Sequence, residues 1–311
     1  MDQTDLMARA AWLYHMEGLT QAQIAERLNV TRRRVNEMLA AALREGLVTV
    51  SFNGKLADCA ALETQLRERF GLEDAVVVPT PADPDQLHQV LGRAAASYLD
   101  RFIPARAINS FGVGWGSTLR ETMHFMTPSA RPGMEVHSMM GGLTAGSEIN
   151  TFEIVRGFAN VFSAECRYFA APIYAESPDS RDAIISQTVF RRTFETICNA
   201  DLAYLSVGDV SNRSLQVRYG LPEGTSIKEL IAGGAVGDLA GRFLDVTGTP
   251  IDHPINRQVL APDLQDLIGI RHRFIVGGGA HKTNIVRAVL AAGYATILGI
   301  DSDSARTLLA S

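Results

Sequence analysis

The chain has 311 residues, of which 46% are hydrophobic and 20% charged, and its formal net charge is −5. That length exceeds one small core and favours two domains, and that much apolar material excludes a disordered chain. No apolar run reaches the roughly 18 residues that cross a bilayer, and "MDQTDLMARA" lacks the basic and apolar regions of a signal peptide, so a cytoplasmic protein is expected.

The charge is uneven. Residues 1–55 carry seven Lys and Arg against six Asp and Glu, a balance of +1, which leaves −6 on the remainder. The larger part will not itself cling to nucleic acid. Cys59, Cys166 and Cys198 are far apart and form no C-x-x-C, so they read as reduced packing residues rather than a disulfide framework or a zinc site.

In chain order, "DLMARAAWLYHMEG" spaces Leu6, Ala10, Leu13 and Met16 as a first helix closed by Gly18. Thr20 stands three residues before Gln23, a capping-box spacing that opens a second helix with Ile24 and Leu28 inward and Asn29 at its end. Thr31 caps a third helix with an apolar stripe of Val35, Met38, Leu39 and Ala42, stopped by Gly46. "LVTVSF" then alternates like a strand. Two helices joined by a short turn, the second opening on three arginines, fit a helix-turn-helix with its second helix in a major groove.

Anchored on Val35 and Leu39, the wheel turns Arg32, Arg33, Asn36 and Glu37 outward, toward bases or phosphates. Thr20, Gln21 and Thr31 sit at helix N-termini suited to phosphate contacts, and Arg34 faces sideways as a further one. Taken singly, "RRR" would be only a solvated face. The low net basicity implies that specific binding needs two or more copies.

Residues 1–54 are therefore expected to bind DNA and residues 55–311 to form a separate α/β domain. In the latter, helices are expected at 59–70 and 85–102 and from 117, with strands at 75–78, 106–111 and 134–139. "RYFAAP", "LAYLSVG", "RFIVGG" and "YATILGI" supply further strands. Alternating strands and helices predict a doubly wound, Rossmann-like parallel sheet.

Three glycine clusters follow strands. In "FGVGWGSTLRETM", Gly112, Gly114 and Gly116 precede Ser117 and Thr118 at a helix start, where backbone N–H groups suit an anion, phosphate above all. The spacing is neither G-x-G-x-x-G nor a P-loop, which disfavours dinucleotides and nucleoside triphosphates. "IVGGGAHKTNIVRAVL" places Lys282 in a first helical turn, where it adds a point charge or is merely solvated. "MMGGLTAGSEIN" brings Gly141 and Gly142 to a third strand end. Asn150, Asp245 and Asn256 could grip hydroxyls or serve as turn residues, and Trp115 could stack on a sugar or pack. His124, His137 and His281 have no metal-ligand spacing, and no metal or cofactor is expected.

The order and spacing of "GLTQAQIAERLNVTRRRVNEMLAAALREGLV", "LRERFGL", "GVGWGSTL", Gly141-Gly142, "GAVGDLAGRFLD" and "VGGGAHKTNIVRAVL" resemble the SorC family of bacterial transcriptional regulators, whose sugar-binding domain is DeoR-like. The resemblance implies an effector domain of the sugar-phosphate isomerase type and a dimer or tetramer acting on operator DNA. It places Gly112, Gly114, Gly116, Ser117 and Thr118 at an effector phosphate, with Asp245 and Lys282 on effector-site motifs and Gly141, Gly142 and Asn150 lining the pocket. Glu37 stands where the family commonly has a basic residue, and Arg33-Arg34 where it has Ser-Thr, so no operator sequence transfers. "RAAWLYHMEGLTQAQIAERL" is similar to the subgroup that regulates polyol catabolism, including erythritol. The expected function is control, as a repressor, of a sugar or polyol operon by a sugar, polyol or phosphorylated derivative. The alternative is a sugar-phosphate isomerase-like enzyme, for which no acid/base pair is identifiable beyond the lone carboxylates Asp209 and Asp245.

Overall fold

The structure is a computed structural model, and residues 3–44, 47–48, 55–143 and 150–310 are described. Gly46 and most of "LVTVSF" lie outside them. The chain divides into two compact units, Met1–Gly54 and Lys55–Ser311. No described helix is long and apolar enough to cross a membrane.

The first unit comprises α1 (Gln3–His15), α2 (Gln21–Leu28) and α3 (Arg32–Arg44). Its core is the expected one at Ile24, Val35, Met38, Leu39 and Ala42, joined by Met7, Ala10, Ala11 and Leu13. Met16, expected on the apolar stripe, falls beyond the end of α1 and is exposed. The Thr20 capping box forms: Thr20 Oγ1 accepts from the Gln23 amide and Gln23 Oε1 accepts from the Thr20 amide at 2.9 Å. Asn29 closes α2 in the left-handed region at φ 51°. Thr31 Oγ1 accepts from the Arg34 amide at 3.2 Å, so the turn between α2 and α3 is capped on both sides.

The second unit runs α4 (Lys55–Phe70), β1 (Asp74–Val78), α5 (Leu87–Ala105), β2 (Ser110–Val113), α6 (Ser117–Phe125), β3 (Glu135–Ser138), α7 (Thr151–Phe162), β4 (Glu165–Arg167), α8 (Pro178–Ser186), α9 (Thr188–Cys198) and β5 (Leu202–Asp209). It continues with α10 (Ile227–Ala232), β6 (Gly237–Leu239), β7 (Arg242–Leu244), α11 (Pro254–Gln258), α12 (Leu264–Gly269), β8 (His272–Val276), α13 (Thr283–Ala291), β9 (Ile297–Asp301) and α14 (Ser302–Leu309). Seven strands form a sheet in the order β1-β9-β8-β5-β2-β3-β4, each neighbouring pair parallel. The β6–β7 hairpin continues antiparallel from the end of β5.

Both sheet faces are covered, and alternate strand residues feed two separate cores. Leu202, Tyr204 and Phe274 enter one with Phe111 and Phe158, while Ala203, Leu205 and Ile275 enter the other with Leu298. This is why these strands read as unbroken apolar runs. The Tyr204 hydroxyl, deep in the first core, is satisfied by Thr122 Oγ1 at 2.7 Å.

Two strand expectations shift. Residues 106–109 do not belong to β2, because α5 continues through Pro104 to bury Phe102 and Ile103, and Ala107 turns the chain at φ 51°. Gly112, expected in a loop, is a strand residue whose missing side chain leaves room for Met139, 2.2 Å from where a Cβ would sit. In "RYFAAP" only Arg167 belongs to β4, and Pro172 pairs separately in an isolated bridge to Gly142.

Candidate functional site

On the first unit, Thr20, Thr31, Arg32, Arg33, Arg34, Asn36 and Glu37 are exposed and Gln21 is half-buried. The side chains of Thr20 and Thr31 are committed to capping. Gln21 Nε2 donates to Asn36 Oδ1 at 3.4 Å, tying the start of α2 to the exposed face of α3. Arg33 Nε donates to Glu37 Oε1 at 3.0 Å, and Arg34 Nη1 lies 3.5 Å from Glu37 Oε2. The hydrogen bond from Arg33, aided by the charges of both arginines, holds the Glu37 carboxyl below its ordinary pKa.

In the sheet, the chain builds outward from β2 toward β4, and from β5 in the opposite direction through β8 and β9. The carboxyl ends of β2 and β5 therefore flank a topological switch point, where ligands bind in open α/β sheets. A cavity of about 630 Å³ opens there, within the range of small-molecule sites. Trp115, Ser117 and Thr118 line it from beyond β2, Ser206 to Asp209 from β5, Asp238 from β6 and Lys282 from beyond β8.

The glycine clusters reach this cavity differently from their expected role. Gly114 spends its amide on the Tyr204 carbonyl at 2.9 Å, and a Cβ there would sit 2.8 Å from Leu205 Cδ2, which would have to shift. Of the three glycines in this first cluster, Gly116 is the one that needs glycine's freedom, with φ at 128°. What faces the cavity is the first turn of α6, where Ser117 and Thr118 add hydroxyls to amides that have no intrahelical acceptor. In the second cluster the Gly277 amide pairs with the Gly299 carbonyl, and that of Gly279 with Asp301 Oδ1 at 2.7 Å. Burial would raise the Asp301 carboxyl, but hydrogen bonds from Gly279, Ser304 and Thr80 outweigh it and keep the group below its ordinary pKa. A protein carboxylate thus occupies the place an anion was expected to take.

Lys282 reaches inward and donates to the Val207 carbonyl at 2.9 Å. Burial lowers its pKa, while Asp209 and Asp238 oppose that shift. Burial pushes the Asp238 carboxyl up to about 6, against the Gly241 amide, which donates to Oδ2 at 3.1 Å, and the charge of Lys282. Its Oδ1 has no hydrogen-bond partner, and neither has Ser214 Oγ nor Gln216 Oε1, although the three residues are only 3%, 6% and 2% exposed. Gln216 Nε2 is held by the Tyr174 hydroxyl at 2.9 Å, which fixes the amide with its oxygen left over. Also in the lining, His88 Nδ1 lies 2.9 Å from Thr118 Oγ1. Burial, then the charges of Lys282 and His281, push the His88 pKa down to about 4, so its imidazole is neutral near pH 7.

The cavity assembles Ser117, Thr118 and Lys282 of the expected residues. Asp245 is a correction: it lies in an outer turn, accepting from the Thr247 and Thr249 amides at 2.8 and 3.0 Å, and Asp238 in the same "GAVGDLAGRFLD" stretch lines the cavity instead. Strand pairing decides this, because β6 runs back along β5 and carries Asp238 opposite Gly208. Asn256, too, is structural, clasping the Phe243 amide and carbonyl at 2.8 and 2.9 Å. Gly141, Gly142 and Asn150 also stand outside the cavity lining among the described residues. Asn150 bonds both the amide and the carbonyl of Leu143, and Gly142 donates its amide to the Ala171 carbonyl at 2.9 Å. His88, Ser214 and Gln216 had no sequence motif to announce them, since each comes from a different segment.

Residues 54–310 match the sugar-binding domain family Sugar-bind. Over 312 residues the chain is 32% identical to the deoxyribonucleoside regulator of Bacillus subtilis (strain 168), covering 99% of this chain and 98% of that protein. It is 26% identical to the erythritol catabolism regulatory protein EryD of Brucella abortus (strain 2308), covering 98% and 96%. Erythritol is thus not singled out. The full-length sorbitol operon regulator SorC from Klebsiella pneumoniae has a similar fold, with a TM-score of 0.72 at 24% identity over 99% of this chain and 100% of that one. A family match across the larger unit and kinship to regulators along the full length set the enzyme alternative aside: the chain belongs to the SorC family of sugar-binding-domain transcriptional regulators.

Proposed function

We propose that the larger unit binds a polyhydroxylated small molecule bearing an anionic group, a sugar or polyol phosphate. The carrying observation is the set of buried atoms without partners, Asp238 Oδ1, Gln216 Oε1 and Ser214 Oγ, on residues that line the same cavity as the first turn of α6. Two of the three only accept hydrogen bonds when Asp238 is ionised, so the matching ligand edge carries donors, as a row of hydroxyls does. The anionic end suits the α6 amides with Ser117 and Thr118, and Lys282 lies within the same cavity.

In this reading the protein works in the cytoplasm as a homo-oligomer whose paired first units grip operator half-sites about 34 Å apart or multiples of that. Ligand binding changes operator occupancy, and a coupling of roughly 1–3 kcal/mol gives a 5- to 150-fold change in affinity. The test is thermal stabilisation by a panel of free sugars, free polyols and their phosphates. A ligand at about 100 times its Kd adds roughly 2.7 kcal/mol. A shift with a phosphorylated compound alone supports the reading; a shift with free polyols alone removes the anion from it, and no shift by any member overturns it.

Arg32→Ala is expected to weaken DNA binding at least tenfold without moving the melting temperature, since Arg32 is exposed. Undiminished affinity in a gel-shift titration would count against α3 as the reading helix.

A further inference from the structure

The contact between Arg33 and Glu37 adds little to stability. Both side chains are exposed, at 89% and 47%, where ion pairs contribute little. Their order is also the unfavourable one for a helix: the arginines crowd the positive N-terminal end of α3 with no acidic residue in its first turn, and the glutamate lies further along. Arrangements of this kind, costly to the helix and placed on its exposed face, point to a role outside folding.

The geometry says which. Glu37 Oε1 takes the Nε–H of Arg33, and Oε2 lies 3.5 Å from Arg34 Nη1, so one carboxylate faces two guanidinium groups. With Nε engaged, Arg33 keeps its two terminal nitrogens for an outside partner, and that edge is the one that fits O6 and N7 of guanine bidentately. A free arginine samples many rotamers and meets phosphates as readily as bases; a tethered one is oriented before contact. The negative charge of the carboxylate also weakens the attraction of the helix for any DNA backbone.

We propose that Glu37 is a positioning residue for DNA recognition: it holds Arg33 toward a guanine while lowering affinity for DNA of arbitrary sequence. The proposal rests on the DNA-binding reading of the first unit and makes it sharper. It commits this chain to trading affinity for specificity at one base pair.

Two measurements on the full chain test it. Wild type, Glu37→Gln, Arg33→Ala and Arg32→Ala are each used to enrich a random-sequence duplex pool, and the enriched sequences are compared. Binding to one fixed random-sequence duplex is then titrated against salt. The expected wild-type motif contains a guanine whose preference disappears in both Glu37→Gln and Arg33→Ala but survives in Arg32→Ala. Glu37→Gln should bind the random duplex severalfold tighter than wild type, whereas Arg33→Ala, which removes a positive charge, should bind it more weakly. If Glu37→Gln keeps the wild-type guanine, Glu37 does not position Arg33 and the proposal fails. It fails equally if Arg33→Ala enriches the wild-type motif, although DNA recognition by α3 then stands. If wild type enriches nothing, the DNA-binding reading falls and takes the proposal with it.

Discussion

Asp238→Asn should raise the melting temperature of the ligand-free protein at pH 7.5 by about 5 °C and abolish stabilisation by ligand. The folded carboxyl holds its proton to about pH 6, against an ordinary value of 3.8. The folded state thus binds more protons between those values, and stability falls as pH rises through that window. Below 3.8 both states are protonated and nothing is lost; above 6 the full penalty applies, at most about 3 kcal/mol for a shift of this size. Asparagine keeps an acceptor for the Gly241 amide and removes the charge, so the gain should appear at pH 7.5 and vanish near pH 3.5. A variant no more stable than wild type at pH 7.5 would mean that Lys282 already compensates the buried carboxylate. If it still responded fully to ligand, Asp238 would make no essential ligand contact.

Gly141→Ala should be the most damaging of the conservative glycine replacements at the strand ends. A Cβ there would sit 1.9 Å from the Pro172 carbonyl oxygen, 2.5 Å from its carbon and 2.7 Å from the Ala171 oxygen. All three are backbone atoms, so no side-chain rotation relieves the clash. The chain must move, and doing so strains the Gly142–Pro172 bridge and the hydrogen bond that the Gly141 amide donates to the Leu260 carbonyl. Overpacking typically costs 1–3 kcal/mol, and a rigid backbone neighbour puts this case at about 3 or more, a fall in melting temperature on the order of 10 °C. Gly269→Ala, at a site with nothing within 4 Å, is the matched control and should change stability by less than about 1 kcal/mol. Equal behaviour of the two variants, followed by thermal unfolding, would return Gly141 to the role of ligand contact expected from its motif.

The three helices of the first unit were legible in detail because their signals are local. The Thr20–Gln23 box, the left-handed Asn29 and the Val35-Met38-Leu39-Ala42 stripe each need only a few neighbouring residues to act. The alternation of strands and helices in the larger unit was legible for the same reason. Met16 was misplaced because periodicity does not reveal where a helix stops, and residues 106–109 were misplaced because four residues of mixed polarity are too few to show whether a helix is ending or a strand beginning.

The site was legible only in part. Ser117, Thr118 and Lys282 sit at helix starts just after strands, a position with chemical meaning even in a linear sequence. The fate of the glycines was not, since one in β2 makes room for Met139, one before α6 supplies φ 128° and one beyond β8 gives its amide to Asp301. These are three different demands on the same residue type, and each comes from a distant partner.

What the amino-acid sequence determined by itself was the family, the three helices of the first unit and the alternating α/β order, because periodicity, capping and motif spacing are encoded within short windows. Tertiary structure alone decided that Asp238 rather than Asp245 faces the cavity, and that Ser214, Gln216 and His88 join it there. The choice depends on the antiparallel register of β6 against β5 and on which strands flank the switch point, and such pairings join residues far apart in the chain.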